Sequence, residues 1–102
     1  MSEFHLLIDD MREYEMDHIA RTPKDGMKAL LSFPVTHLYL DHDLGDPDIP
    51  TGYDVLVWAL ERGCVPSNVQ LVTSNPVGRD RMASALENAG YAKKNHWFIK
   101  EL

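Results

Sequence analysis

Acidic side chains follow two apolar runs of this chain, at the point where each predicted strand ends. Asp9 and Asp10 come directly after the run at 4–8, and Asp41 comes directly after the run at 38–40. An apolar run that stops abruptly at polar residues is typical of a buried strand in a parallel sheet. Carboxylate oxygens are the ligands that Mg²⁺ prefers in proteins, together with water and phosphate oxygens. The sequence therefore predicts a site for Mg²⁺ (or Mn²⁺) at Asp9, Asp10 and Asp41.

Groups that suit a phosphate follow two further apolar runs. Thr73 ends the run at 69–72, and Lys100 ends the run at 97–99. The carboxyl ends of parallel strands share one edge of an open sheet, so we expect these side chains to join the acids there. The helix that Asn75 caps would aim its free N–H groups at the same edge, which makes an anion site. The candidate phosphate-binding residues are Thr73, Ser74, Asn75, Arg79 and Lys100.

The residues that follow Asp41 offer groups that transfer protons. A histidine titrates near neutral pH, so His42 suits a general acid or base, but a loop histidine that hydrogen-bonds a carboxylate fits the same position. Asp43 either binds the metal or caps the turn, and acids after strands are often turn formers. The candidate catalytic residues are Asp41, His42, Asp43 and Lys100.

Strands and helix starts alternate along the chain. The apolar runs predict five strands, at about 4–9, 17–21, 36–41, 69–73 and 96–100. Three helices are predicted to begin after the N-caps Thr22, Thr51 and Asn75. The connection at 11–16 is too short for the helical crossover that normally joins parallel strands. This order of elements predicts an α/β fold with a mainly parallel sheet.

Length and composition limit the class of protein. The 102 residues suit one domain, predicted to span residues 1–102. The net charge of −6 argues against an extended nucleic-acid surface, and no apolar run approaches the ~20 residues of a membrane helix. Cys64 is the only cysteine, which excludes an intramolecular disulfide and makes a cytoplasmic location the default expectation.

The arrangement resembles the receiver domain of two-component response regulators. That family has an acidic pair after strand one, a phosphoacceptor aspartate after strand three, a Ser or Thr after strand four and a lysine after strand five. On this sequence the positions fall on Asp9, Asp10, Asp41, Thr73 and Lys100. The resemblance implies a receiver-like (flavodoxin-like), three-layer α/β/α fold with a mainly parallel five-stranded sheet. The expected departures are a missing first crossover helix and a missing C-terminal helix.

A closer resemblance is to a variant group of receiver-like domains, the cyclic-phosphate-processing receivers. Four separated motifs carry it, at Asp9-Asp10, Leu40 to Gly45, Thr51 to Trp58 and Asn75 to Arg79. The resemblance implies a metal-dependent phosphoesterase that acts on a cyclic phosphate of a nucleotide or of an RNA end. Its ligand would be a small phosphate-bearing molecule or nucleotide, and the chain would be a monomer or a homodimer.

Two other functions fit the same residues. The first is a phosphoacceptor switch, in which a kinase or a small phosphodonor phosphorylates Asp41. The second is a non-catalytic, receiver-shaped module that binds a protein partner through apolar surface near Trp97 and Phe98. The pair His42-Asp43, which ordinary receivers do not need, favours the phosphoesterase.

Overall fold

The computed structural model describes residues 2–100, and these form three helices and a six-stranded sheet. In chain order the elements are β1 (His5–Ile8), β2 (His18–Ala20), α1 (Pro23–Ser32), β3 (His37–Leu40), α2 (Gly52–Arg62), β4 (Asn68–Leu71), α3 (Pro76–Asn88), β5 (Tyr91–Lys94) and β6 (Trp97–Lys100). Across the sheet the strands lie in the order β2-β1-β3-β4-β6-β5. Within residues 2–100, no helix is long and apolar enough to cross a membrane.

Local side-chain contacts begin and end the helices where the sequence predicts. The Thr51 side chain accepts a hydrogen bond from the N–H of Asp54, and the Asp54 carboxylate accepts one from the N–H of Thr51, which makes a complete capping box. Asn75 caps α3 by accepting from the N–H of Gly78. α2 ends at Arg62 and is capped by Gly63, whose φ of 67° lies in the left-handed region that favours glycine. The three predicted helices are therefore confirmed.

The four strands β2, β1, β3 and β4 are parallel and in close register. Ile8 pairs with Leu40, and Leu40 pairs with Leu71, so β1, β3 and β4 end at the same level. The chain continues from these strands into Asp9 and Asp41. The predicted meeting of acids at one edge therefore follows from the register of the parallel strands.

The last part of the sheet differs from the expected single parallel strand. Residues 91–100 form a hairpin of β5 and β6, and Asn95 adopts a positive φ of 59° in its turn. β6 pairs antiparallel with β4, with Asn68 opposite Ile99. The prediction of five strands is wrong, because the sheet has six and its last strand runs backwards.

The reversal places Lys100 at the wrong edge for the predicted site. The N–H of Lys100 donates to the carbonyl of Ser67, just before β4 begins, whereas Thr73 follows the other end of that strand. The Lys100 ammonium lies over the ring of Tyr91, 5.7 Å from its centroid. The predicted convergence of Lys100 with the acids is therefore wrong.

The three helices pack on one face of the sheet. Alternate strand residues, such as Leu38, Leu40 and Val69, share one apolar core with buried residues of all three helices, and α2 contacts both α1 and α3. The described residues thus form two layers, and the predicted three-layer arrangement is wrong. The connection between β1 and β2 contains no helix, as expected. The predicted absence of a helix after Lys100 concerns positions outside the described residues.

The first residue of α2 lies against the end of β3. The N–H of Gly52 donates to the carbonyl of His42 at 2.7 Å. A Cβ on Gly52 would overlap the carbonyl oxygen of Asp41 and lie 2.8 Å from its carbonyl carbon. The absence of a side chain at Gly52 therefore lets α2 begin directly beside the acidic site.

We expect Gly52→Ala to destabilise the protein by about 3 kcal/mol or more, because rigid backbone stands where the methyl group would go. Helix propensity alone would make the Gly52→Ala protein more stable by about 1 kcal/mol, so a loss of stability would show that the contact outweighs propensity. The matched variant Thr51→Ala, which removes only the cap, should cost about 1 kcal/mol. Urea unfolding measures both, and a Gly52→Ala protein as stable as the wild type would contradict the close approach.

Candidate functional site

Three carboxylates meet at the ends of β1 and β3. Asp9 is fully buried, Asp41 is 5% exposed and Asp10 is half-buried. One carboxylate oxygen from each residue lies within 4.8 Å of the other two. The structure thus brings together the three residues that the sequence nominated for a metal, and their donors are all oxygens, which suit a hard cation.

Arg12 provides a positive charge among these carboxylates. Its Nη1 donates to Asp9 Oδ2 at 2.7 Å and to Asp41 Oδ2 at 3.3 Å. The backbone of the same loop turns around Asp9, whose Oδ1 accepts from the N–H groups of Met11 and Arg12. Arg21 fixes the loop by donating to the carbonyl of Arg12 at 2.6 Å. Sequence reasoning missed Arg12, and its position three residues after Asp9 was the only available signal.

The two buried carboxyl groups have pKa values shifted in opposite directions. Burial opposes ionisation of Asp9, but the hydrogen bonds from the following loop and from Arg12 outweigh it and lower the pKa. For Asp41, burial and then the negative charge of Asp9 raise the pKa, and the Thr73 hydroxyl and Arg12 offset only part of the rise. Of the two, Asp41 is therefore the carboxyl group whose charged form the fold disfavours.

An open cleft of about 420 Å³ borders these acids. Besides the three acids, its walls include Arg12, Asp43 and Ser74. Asp43 and Ser74 were both nominated from the sequence, and both lie on the cleft with their surfaces exposed. The cleft therefore places a fourth carboxylate and a hydroxyl next to the three acids.

His42 lies beside the cleft instead of lining it. Its Nδ1 is 3.0 Å from Asp43 Oδ1, and since a carboxylate only accepts, Nδ1 carries the proton. The ring packs against the start of α3, where a Cβ on Gly78 would overlap it. Its Nε2 is buried and has no hydrogen-bond partner among residues 2–100. The histidine thus orients Asp43, and Gly78 is required to make room for the ring.

Thr73 and Asn75 connect the acids to the start of α3. Thr73 is 1% exposed, and its hydroxyl accepts from the N–H of Asn75 at 3.1 Å. The amide nitrogen of Asn75 lies 3.4 Å from Asp43 Oδ2, while its oxygen caps the helix. Both residues therefore hold the walls of the cleft in place, and Thr73 is too buried to meet a ligand directly.

Arg79 faces a neighbouring cavity. Its Nη2 donates to the carbonyl of Thr73, and its side chain helps to line a cavity of about 290 Å³ together with Lys93 and His96 of the last hairpin. The structure therefore separates two predicted phosphate ligands from the acids: Arg79 lies in this adjacent cavity, and Lys100 lies at the opposite edge of the sheet.

We expect Asp9→Asn and Asp41→Asn to change stability in opposite directions at neutral pH in EDTA. The lowered pKa of Asp9 means that the fold favours its charged form, so its neutral isostere should destabilise by about 2 kcal/mol. The raised pKa of Asp41 means that the fold favours its neutral form, so its isostere should stabilise.

Urea unfolding at a series of pH values checks both signs. The contribution of Asp9 is complete above its unfolded value of 3.8 and is lost as the pH falls through the lower folded value. The gain from Asp41→Asn is complete above the raised folded pKa and disappears at lower pH. Equal shifts of the same sign in the two variants would contradict this charge arrangement.

Comparison with known proteins identifies the family. The profile described as the cyclic-phosphate processing receiver domain matches residues 4–88. Neither the curated proteins nor the solved structures gave a match. The match spans both acidic strand ends, the segment from Leu40 to Gly45 and the glycine-containing start of α3, and it stops before the last hairpin. The chain belongs to the family of cyclic-phosphate processing receiver domains.

Proposed function

We propose that this protein is a metal-dependent phosphoesterase that opens a cyclic phosphate on a nucleotide or on an RNA end. The observation that carries the proposal is the meeting of Asp9, Asp10 and Asp41 in an open cleft that Asp43 also lines. A buried cluster of like charges is costly unless a cation is bound there. The family description gives the class of phosphate.

The acidic residues fit a divalent ion. Asp9, Asp10 and Asp41 would hold Mg²⁺ or Mn²⁺ through carboxylate oxygens, with water and phosphate oxygens as the remaining ligands. The bound ion would supply positive charge for the phosphate oxygens. The fact that a guanidinium already contacts Asp9 and Asp41 supports the fit, because it shows that a cation is accommodated between them.

Arg12 is the residue of this chain that would hold the phosphate. Its side chain is about one-third exposed and reaches the cleft from a loop. Planar guanidinium groups bind phosphate oxygens through two parallel N–H donors. An ion held by the acids would take the place of the guanidinium there and would leave Arg12 free to bind the substrate phosphate.

Asp43 is the group placed to move the proton. Hydrolysis of a cyclic phosphate requires a water to attack phosphorus while one ribose oxygen leaves. Asp43 takes a proton from that water, and the departing oxygen, on the opposite side of the phosphorus, takes a proton from solvent. Asp43 then returns its proton to solvent, so the reaction balances. His42, through Nδ1–H, and Asn75, through its amide, fix the orientation of this carboxylate.

Turnover of a 2′,3′-cyclic nucleotide in the presence of Mg²⁺ or Mn²⁺ tests the proposal. Asp41→Asn should lower the rate by at least about 100-fold, because removal of an ion ligand affects several kcal/mol of charge stabilisation. Lys100→Ala is the matched control and should leave the rate unchanged, because Lys100 lies at the opposite edge of the sheet. No turnover by the wild type with either ion, together with unaltered Mg²⁺ binding by Asp41→Asn, would contradict the proposal.

The main competing function is a non-catalytic one, and the ion pairs of Arg12 are the observation that favours it. An ion pair of Arg12 with Asp9 and Asp41 balances the buried charge without any metal, as in a purely structural network. The phosphoacceptor switch on Asp41 is less well supported, since the lysine that the receiver resemblance assigns to such a site is not near it.

The variant Arg12→Gln separates the phosphoesterase from the structural network. If the acids bind an ion, loss of the competing guanidinium should tighten Mg²⁺ binding by roughly fivefold to tenfold, since a unit charge about 4 Å away is worth 1 kcal/mol or more. The same variant should lower turnover, because the phosphate loses its guanidinium. Titration calorimetry with Mg²⁺ and the cyclic-nucleotide assay measure the two effects. Absence of Mg²⁺ binding in both wild type and Arg12→Gln would favour the structural network.

A further inference from the structure

A second cluster of metal-ligating side chains lies at the other end of β1 and β3. His5 and His37 occupy paired positions on the two strands, and Glu3 precedes β1. One ring nitrogen of each histidine and one carboxylate oxygen of Glu3 all lie within 4.8 Å of one another. Asp9 is four positions after His5. This is roughly 13 Å along a strand, so the cluster is distinct from the acidic cleft.

Hydrogen bonds around Thr36 determine which nitrogen of His37 is available. The Thr36 hydroxyl donates to the carbonyl of Phe4 and accepts from the N–H of Phe4. The same hydroxyl lies 2.9 Å from His37 Nδ1, and while its proton is given to the Phe4 carbonyl it accepts from Nδ1. In that arrangement the Nε2 of His37 carries a free lone pair.

A second hydroxyl supports His5 in the same way. Tyr39 Oη lies 2.9 Å from His5 Nδ1, and Glu3 Oε1 lies 2.9 Å from His5 Nε2. Because the Glu3 carboxylate only accepts, His5 Nε2 donates to it here and Nδ1 accepts from the Tyr39 phenol. A phenol also accepts, so Tyr39 can equally hold the tautomer with an unprotonated Nε2, which metal binding requires. Histidines that bind metals nearly always use their second ring nitrogen in a hydrogen bond of this kind, which fixes the ring.

We propose that Glu3, His5 and His37 form a binding site for Zn²⁺, with the two Nε2 atoms and one carboxylate oxygen as ligands and water in the fourth position. Two imidazoles with one carboxylate is a known ligand set for zinc with an open position. The stacked rings are nearly parallel, so at least one of them must rotate before both Nε2 lone pairs point at one ion at the usual zinc–nitrogen distance of about 2.0–2.1 Å. The exposed Glu3 side chain leaves the site open to solvent.

The surrounding aromatic contacts keep the imidazoles together. The rings of His5 and His37 are stacked, with centroids 4.4 Å apart and planes 9° apart. Trp97 packs edge-on against both His37 and Tyr39. These contacts keep the two imidazoles adjacent, and Zn²⁺ would replace their stacking and join Glu3 to β1 and β3.

Zinc binding by the untagged full chain tests the site. Calorimetry should show one Zn²⁺ bound, and the ion should raise the melting temperature. His5→Gln and His37→Gln should each weaken binding by more than about tenfold, and Tyr39→Phe, which keeps all three ligands, by about tenfold. His96→Gln removes a histidine elsewhere and should bind Zn²⁺ as the wild type does. Asp41→Asn should also bind it normally, which distinguishes this site from the acidic cleft.

The absorption spectrum of the Co²⁺-loaded protein identifies the ligands. It should show the intense visible bands of a four-coordinate ion without a thiolate charge-transfer band, which would indicate Cys64 instead. Failure of the wild type to bind Zn²⁺, or equal affinity in the wild type and His37→Gln, would overturn the proposal. If His37→Gln does not fold, an unchanged affinity in Tyr39→Phe together with His5→Gln would overturn it.

Discussion

Repulsion between two carboxylates that are removed from water side by side is the constraint on which the acidic site depends. Asp9 and Asp41 follow adjacent parallel strands, and the register of these strands places the two residues side by side. The fold balances their charge with Arg12, which comes from the loop between β1 and β2. The cation that balances the two acids therefore comes from the connection that was expected to lack a helix.

Much of the site was predictable because it depends on local patterns. An apolar run that stops at acidic residues marks the end of a strand, and the carboxyl ends of parallel strands lie at one edge of the sheet. The prediction that Asp9, Asp10 and Asp41 lie together follows from these two rules. The caps Thr51 and Asn75 were equally readable, because their hydrogen bonds join residues three positions apart. The contact between Gly78 and the His42 ring could not be predicted, because the spacing of two motifs along the chain does not determine whether they touch in the fold.

The last hairpin shows what an apolar pattern leaves undetermined. Residues 91–94 have only Tyr91 buried, so they lack the alternation that would mark a strand. The run at 97–99 was recognised as a strand, but its direction depends on the turn at Asn95, where a single positive φ reverses the chain. Because that turn was not predicted, Lys100 was expected at the carboxyl ends of the parallel strands instead of at their amino ends. The layer count failed for a related reason, because helix amphipathicity does not say which face of a sheet a helix covers.

The close approach of Gly52 to Asp41 has a mechanical consequence. A helix that starts in direct contact with the backbone of a strand end moves only as one body with that strand. Gly78 imposes a similar restraint on α3 through the ring of His42. One wall of the cleft is consequently stiff, and ligands of different shape must be accommodated by the opposite wall, where the segment around Arg12 is held by side chains instead of by regular secondary structure.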